Sequence, residues 1–219
     1  MASWIIHLRI ADALLPHLNV EQTHFLAGNI APDCGFALGN DRFDPPTNVT
    51  HFTSGGKQGC DHSRFWEQFG RDETDPARLS FYLGYFAHLM TDVLWSELIN
   101  LPLKQRFAEL YRTDRTEYYR RVKADWYDLD HLFLRRHPDF PAWKRFLELS
   151  DYTNDVLPYY GKQHLPVQFA HIQAFYAEDH ADAEREFPYL TAQEADAFVL
   201  RAAQEIRQRI SEICPICAK

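Results

Sequence analysis

No stretch of this sequence reaches the roughly 18 uninterrupted apolar residues that a membrane-spanning helix needs, and none of its charge runs is strongly basic. The formal net charge is -8 over 219 residues. Lysines and arginines are therefore too few and too dispersed for broad neutralisation of duplex DNA, whose binding depends on counterion displacement. A small phosphorylated substrate is still admissible, because a bound cation would reverse the local field. Cysteine is scarce: Cys34 and Cys60 stand alone, and Cys214 and Cys217 form one CxxC near the end of the sequence. One CxxC without a second pair is a weak zinc signal, and no βαβ pattern surrounds it to suggest a redox fold. The segment from Met1 to Leu15 is apolar but broken by His7, Arg9 and Asp12. It lacks a basic start and a small-residue cleavage site, so it is expected to be a first helix and not a signal peptide. The expected location is cytoplasmic. Internal repeats, low-complexity segments and convincing runs of strand-type alternation are absent too.

What is present is helical periodicity. Residues 3–15 place Ile6, Ile10, Ala13 and Leu14 at helical spacing. A short helix is expected from about Val20 to Ala27, stopped by Gly28. Residues 29–60 hold Pro32, Pro45, Pro46 and five glycines, and are expected to form a long loop. Loops of that length inside compact domains are usually functional or disordered. The strongest helix opens at Asp75-Pro76, with aspartate as cap and proline in the first turn. It runs through Trp95, is apolar almost all round, and is expected to stop near Pro102 as a buried central helix. Further helices are expected at about 104–112, 114–136, 141–150, 167–184 and 192–213, the last opened by the capping box Thr191-Ala-Gln-Glu194. Aromatics at 15% suit bulky helix–helix packing. The expected fold class is all-α: one multi-helix domain over residues 1–219 around a buried central helix, with a metal cluster between helices.

The chemistry is concentrated in the first half. His88-Leu-Met-Thr-Asp92 puts an imidazole and a carboxylate on one helical face, one turn apart. Burying that pair in an apolar helix is costly unless a partner satisfies it. A divalent metal would do so, and so would a direct imidazole–carboxylate hydrogen bond. His7 sits among Ile5, Ile6, Leu8 and Ile10, where a satisfied core histidine is the bland alternative. Asp33 follows Ile30-Ala-Pro32, where an aspartate can simply make a turn, and His51 lies in Asn48-Val-Thr-His-Phe52, where it can be a packed loop residue. Together they make three histidines and two aspartates, a mixed nitrogen and oxygen set that suits zinc.

In order along the chain stand His7, Gly28-Asn-Ile-Ala-Pro-Asp33, Thr50-His51 and Gly84-Tyr-Phe-Ala-His88-Leu-Met-Thr-Asp92. This succession resembles the zinc-dependent phospholipase C family, related to zinc-dependent single-strand-specific nucleases, over roughly residues 4 to 95. The resemblance implies that Asp33, His51, His88 and Asp92 hold one ion, and that His7 and a bridging Asp92 help hold a second. A two-ion cluster acidifies water and clamps phosphoryl oxygens during in-line displacement. Asp33 is then the residue expected to orient or deprotonate the water. Two departures follow. Secreted members ligate through the amino group of a mature N-terminal tryptophan, whereas here Trp4 follows Met1-Ala-Ser3. Members with a third ion use a later His-x-x-x-Glu, and the matching spacing here, His180-Ala-Asp-Ala-Glu184, lies in an acidic stretch, Glu178 to Glu186, that reads rather as a solvated helix face. Two zinc ions are thus expected, the third being open.

Two further candidates remain. Lys57 could meet a substrate phosphate or simply be solvated. Asp125, Asp128 and Asp130, with His131, crowd one helical stretch; they could complete the metal shell or bind substrate, or form an acidic face against Arg120, Arg121 or Arg135. The expected activity is metal-dependent hydrolysis of a phosphate ester, the partner being a phosphate-ester small molecule or a lipid headgroup and not duplex DNA. The alternatives are a catalytically inactive helical metal-binding or interaction protein, and a single-strand nuclease, which would want a basic groove and stacking platforms. The helical phosphohydrolases built on a His-Asp dipeptide are set aside, because the chain contains only the reverse order.

Overall fold

The computed structural model describes residues 1–40, 42–53, 59–178 and 185–219, and these are overwhelmingly helical. In chain order the helices and strands are α1 (Trp4–Leu14), α2 (Gln22–Ile30), β1 (Phe36–Gly39), β2 (Arg42–Asp44), α3 (Thr47–Thr50), α4 (His62–Phe65), α5 (Pro76–Trp95), α6 (Leu101–Arg106), α7 (Ala108–Thr113), α8 (Arg115–Arg136), α9 (Pro141–Leu147), α10 (His164–Ala177) and α11 (Ala192–Ile213). Among the described residues the one sheet is the antiparallel pair β1–β2. No helix among the described residues is long and apolar enough to cross a membrane.

The central helix forms as its sequence dictates. Asp75 accepts a hydrogen bond from the Arg78 amide at 2.9 Å, and Pro76 occupies the first turn. From Ser80 to Leu89 every residue of α5 is buried, so the helix is the core itself and not one wall of it. At its end the backbone widens into a π-helical turn, Ser96–Asn100, and continues into α6. Pro102 does not stop the helix; it lies in the first turn of α6, directly after the widened π-helical turn.

Gly28 is not the expected helix stop. α2 runs through it to Ile30, and a Cβ on Gly28 would lie 1.9 Å from the carbonyl oxygen of Phe81. Gly84 makes the reciprocal approach, its hypothetical Cβ falling 2.0 Å from the carbonyl oxygen of Phe25. One glycine on each helix thus lets the backbones of α2 and α5 touch. The expected long loop is also more ordered than composition suggests. It holds the end of α2, a 3-10 turn over Ala31–Asp33, the β1–β2 hairpin and α3. The hairpin escapes the alternation rule because both its faces are largely exposed, so no period-2 pattern is required of it.

The other helices enclose this pair. α11 carries Ala195, Phe198, Val199, Ala202, Ala203, Ile206 and Ile210 on its buried stripe, packs on α1 and α5, and starts with the full Thr191–Glu194 capping box. Trp95 meets Phe198 edge-to-face at 4.8 Å between ring centroids. The C-terminal residues are tied to the α1–α2 connection, with Asn19 donating to the Cys217 carbonyl at 2.7 Å and Lys219 to that of His17 at 2.9 Å.

Candidate metal centre

Four separate segments deliver the five side chains. His7 comes from α1, a helix buried on almost every face. Asp33 ends the 3-10 turn after α2, which Tyr160 holds by donating to the Ala31 carbonyl at 2.6 Å. His51 terminates α3, and the Tyr85 hydroxyl donates to the carbonyl of the preceding Thr50. Phe52, directly after it, takes a φ of 53°, a left-handed conformation uncommon for a bulky residue and suited to a sharp turn. His88 and Asp92 sit one turn apart on α5. His7 and His88 are fully buried, and His51 and Asp92 nearly so.

The nitrogens converge on two carboxylates. Asp92 Oδ1 lies 3.5 Å from His7 Nε2, while Asp92 Oδ2 lies 3.5 Å from His51 Nε2 and 3.6 Å from His88 Nε2. Asp33 Oδ1 lies 3.3 Å from His51 Nε2 and 3.9 Å from His88 Nε2. These separations exceed the 2.7–3.2 Å of a good N–H···O hydrogen bond, and the Nε2 atoms of all three histidines are buried without a hydrogen-bond partner. Apart from the 3.9 Å between His88 and Asp33, they lie within about 0.3 Å of the edge of a tetrahedron with zinc bonds of 2.0–2.1 Å, about 3.3–3.4 Å. Two donor groups fall within mutual reach of one ion: His7, His88 and Asp92; and Asp33, His51 and His88.

The opposite ring nitrogens set the tautomers. His88 Nδ1 lies 2.7 Å from the Asn29 carbonyl, which can only accept, so Nδ1 carries the proton and the neutral ring offers a lone pair at Nε2. His51 Nδ1 is 2.9 Å from Thr50 Oγ1, whose own hydrogen points to the Thr47 carbonyl at 3.4 Å, giving the same polarity. Such outer partners are what a metal-ligating imidazole ordinarily has.

Electrostatics agree with that arrangement. Burial, with the neighbouring His88, pushes His7 down to about 4 despite the Asp92 carboxylate, so its ring is neutral near pH 7. Its ring stacks flat on that of His88 at 3.8 Å, a contact two imidazolium ions could not share. Burial opposes ionisation of Asp33, yet His88 and His51 outweigh it and hold the carboxyl low. Asp92 lies well below the usual range, because the terminal amino group, His7 and His88 overcome its burial. For His88, burial is outweighed by Asp33 and Asp92, and its affinity for a proton is raised. A field that draws a proton there draws a cation too. Lone pairs on imidazoles and ionised carboxylates facing one another in a dry site fit a borderline divalent metal such as zinc.

The backbone N–H of Ala2 also donates to Asp92 Oδ1 at 2.8 Å. Asp33 and His51 face a cleft of about 210 Å³, whose walls include Trp4, Phe43, Lys123, Tyr127 and Gln168. His7, His88 and Asp92 lie behind that surface. Wider grooves of about 620 and 520 Å³ elsewhere contain none of these residues.

The remaining sequence candidates lie outside both donor groups. Asp125 and Asp128 are clamped by Arg185 at 2.7 and 2.8 Å, and Asp125 also accepts from the Tyr189 amide at 2.7 Å. Arg120 and Arg121, two of the partners open to this acidic face in the alternative reading, pair instead with Glu117. Asp130 accepts from Ser3 at 2.9 Å and from Tyr176 at 2.6 Å, and burial pushes it up to about 7. Cys214 and Cys217 join neither donor group. Lys57, His180 and Glu184 lie outside the described residues.

Residues 4–95 match the family model of zinc dependent phospholipase C. The resemblance drawn from the ordered motifs is supported by that match, which takes in α1 to α5 and all five converging side chains. Residues 96–219, including the Lys123 and Tyr127 wall of the cleft, lie beyond it. No curated protein and no solved structure matches the chain. The zinc dependent phospholipase C match and the histidine–aspartate cluster together support a metal-dependent hydrolase.

Sequence reasoning did not single out Asn29, Lys123, Tyr127 or Gln168, which the structure places at a donor imidazole or on the cleft wall. Asn29 acts through its backbone carbonyl, which any residue type supplies, so composition carries no signal for it. Lys123 and Tyr127 are one helical turn apart on α8, a visible spacing, but nothing local says that this face looks onto α3 and the hairpin.

Proposed function

We propose that this protein is a zinc-dependent phosphoric ester hydrolase of the phospholipase C type. The observation that carries the reading is the set of three partnerless imidazole Nε2 atoms held at tetrahedral-edge distances from two ionised carboxylates, beside an open cleft. Asp33, His51, His88 and Asp92 would hold one ion, and His7 with the second oxygen of Asp92 would help hold another. When bound, the ions supply Lewis acidity toward a phosphoryl oxygen and lower the pKa of water toward neutrality.

The chain's own residues do the rest. Asp33 is the cluster carboxylate that faces the cleft, so it orients the attacking water and takes its proton. His88 is locked by Asn29 and His51 by Thr50, which fixes the donors without reorganisation during turnover. Lys123 is the one basic side chain among the described lining residues and meets the phosphate charge. Tyr127, one turn further along α8, offers a hydroxyl beside it. Trp4, Phe43 and Pro45 form an apolar wall that suits the alcohol side of the ester, whether a small molecule or a lipid headgroup and its glycerol. A single basic side chain is too little for a nuclease groove, which leaves the phospholipase-like ester as the better-supported substrate.

The test is metal analysis coupled to turnover. Protein as purified is expected to carry zinc by elemental mass spectrometry, and to hydrolyse bis(p-nitrophenyl) phosphate or phosphatidylcholine vesicles. Activity should vanish on chelation, return with zinc, and be lost in Asp92→Asn. A chain that binds no zinc after reconstitution would overturn the reading.

A further inference from the structure

The five donors are not held alike. His7, His88 and Asp92 sit within helices of 11 and 20 residues, whose own hydrogen bonds fix their backbone. Asp33 and His51 stand at the ends of a three-residue 3-10 turn and a four-residue helix. Side chains on such short segments are placed less precisely unless something outside them supplies anchorage. Yet the 3.3 Å between His51 Nε2 and Asp33 Oδ1 is the shortest donor separation in the cluster.

The anchorage comes from the connection between α9 and α10. Residues 148–163 form neither helix nor strand and are organised around Asn154, which is 4% exposed. Its side-chain nitrogen donates to the carbonyls of Leu157 and Tyr160, both at 2.8 Å, and its oxygen accepts from the Val156 and Leu157 amides at 3.3 and 3.0 Å. Both donors and both lone pairs of Asn154 are thus spent on its own loop, which presents two consecutive phenols. The Tyr160 hydroxyl donates to the Ala31 carbonyl at 2.6 Å and lies 3.3 Å from that of Pro32, the two residues before Asp33. The Tyr159 hydroxyl donates at 3.0 Å to that of Tyr85, which donates in turn to the carbonyl of Thr50, directly before His51.

We propose that Tyr159 and Tyr160, presented by the Asn154 loop, are positioning residues that set the separation of Asp33 and His51 for a metal ion. Tyr160 acts directly on the Asp33 turn, and Tyr159 acts through Tyr85 on the His51 turn. Each grip is on a backbone carbonyl, so it constrains the path of the turn and not merely one rotamer. The inference rests on the metal reading above. It gives the chain beyond residue 95, where the family match stops, a share in the centre itself. Groups that orient metal ligands ordinarily contribute about 10–100-fold in affinity.

The test compares phenylalanine variants of the full-length protein, each removing one hydroxyl and keeping the ring. The unaltered protein is expected to take zinc from a chromophoric chelator and, with cobalt(II) in place of zinc, to show visible d–d bands. Tyr160→Phe and Tyr85→Phe should each bind zinc about tenfold or more weakly and shift the cobalt bands; Tyr159→Phe should do both to a smaller extent. Tyr82→Phe is the control. Its buried hydroxyl donates to the Val156 carbonyl of the same loop at 3.2 Å and hydrogen-bonds to neither donor turn. It should lower the melting temperature in chelator as the others do, yet leave zinc affinity and cobalt bands unchanged. Melting in chelator also shows that each variant folds, and Tyr159→Phe, at a half-buried site, carries the test if Tyr85→Phe does not. Unchanged affinity and bands in Tyr160→Phe and Tyr159→Phe would overturn the proposal while leaving the metal centre standing, and so would an equal loss in Tyr82→Phe. An unaltered protein that takes up neither zinc nor cobalt would overturn both.

Discussion

Removing the metal should destabilise the fold by an amount that the site geometry bounds. Without an ion, the Nε2 atoms of His7, His51 and His88 are buried and unpaired. Each such group costs about 1–3 kcal/mol, so about 3–9 kcal/mol is available for an ion to recover. How much appears in a measurement is set by mass action: free zinc at one hundred times its dissociation constant contributes about 2.7 kcal/mol. For a chain of 219 residues, each kcal/mol moves the melting temperature by about 2–4 °C. The expected rise from chelated to zinc-saturated protein is therefore about 5–10 °C, growing with the logarithm of free zinc. Asp92→Asn removes the carboxylate whose two oxygens face all three imidazoles. The amide keeps an acceptor for the Ala2 N–H, so the variant should fold, but its zinc-dependent shift should drop below about 1 °C. Scanning calorimetry in chelator and in zinc buffers measures both. A melting temperature indifferent to zinc in the unaltered protein would refute the cluster. An undiminished shift in Asp92→Asn would refute the bridging role of Asp92.

Three further outcomes follow from other parts of the molecule. Gly84→Ala drives a methyl group into the Phe25 carbonyl, 2.0 Å from the ideal Cβ position, and should cost about 3 kcal/mol or more in urea unfolding. Zinc affinity should fall with it, since parting α2 from α5 pulls the Asn29 carbonyl from His88; full stability in the variant would contradict the helix contact. Asp130 is raised by burial from 3.8 to about 7, so between those values the folded state holds the extra proton. Its contribution to stability is complete below about pH 4 and is lost as pH rises toward 7. At about 1.4 kcal/mol per pKa unit the loss has an upper bound of about 4 kcal/mol. Asp130→Asn should flatten that slope, and parallel stability curves from pH 4 to 8 would count against the assignment. Lys123→Met should raise KM about fivefold for an anionic phosphodiester, equivalent to roughly 1 kcal/mol at an exposed site, with kcat little changed. An unaltered KM would remove Lys123 from substrate binding.

Much of the architecture is legible in local pattern. The Asp75-Pro76 start of α5, its all-round apolar run and the Thr191–Glu194 capping box each act within a few residues, so the sequence alone determines where those helices begin and what they bury. The His88–Asp92 pair is legible for the same reason, because 3.6 residues per turn place the two side chains together whatever the rest of the chain does. His7, Asp33 and His51 are each weak candidates by local context, and only the ordered family motifs join them to His88 and Asp92; no local periodicity ties them to α5.

What only the tertiary structure decided is how those segments meet. Gly28 looks like a helix stop until α5 is seen to lie against it. Asn29 matters through a carbonyl that every residue possesses. Asp125 and Asp128, plausible ligands on their own helix, are instead taken up by Arg185, more than fifty residues away. Helix formation is local, governed by hydrogen bonds four residues apart. A metal centre depends on ångström-scale convergence of donors from distant segments, and that is set by how closely glycine lets two helices approach and by what the remaining helices press against them.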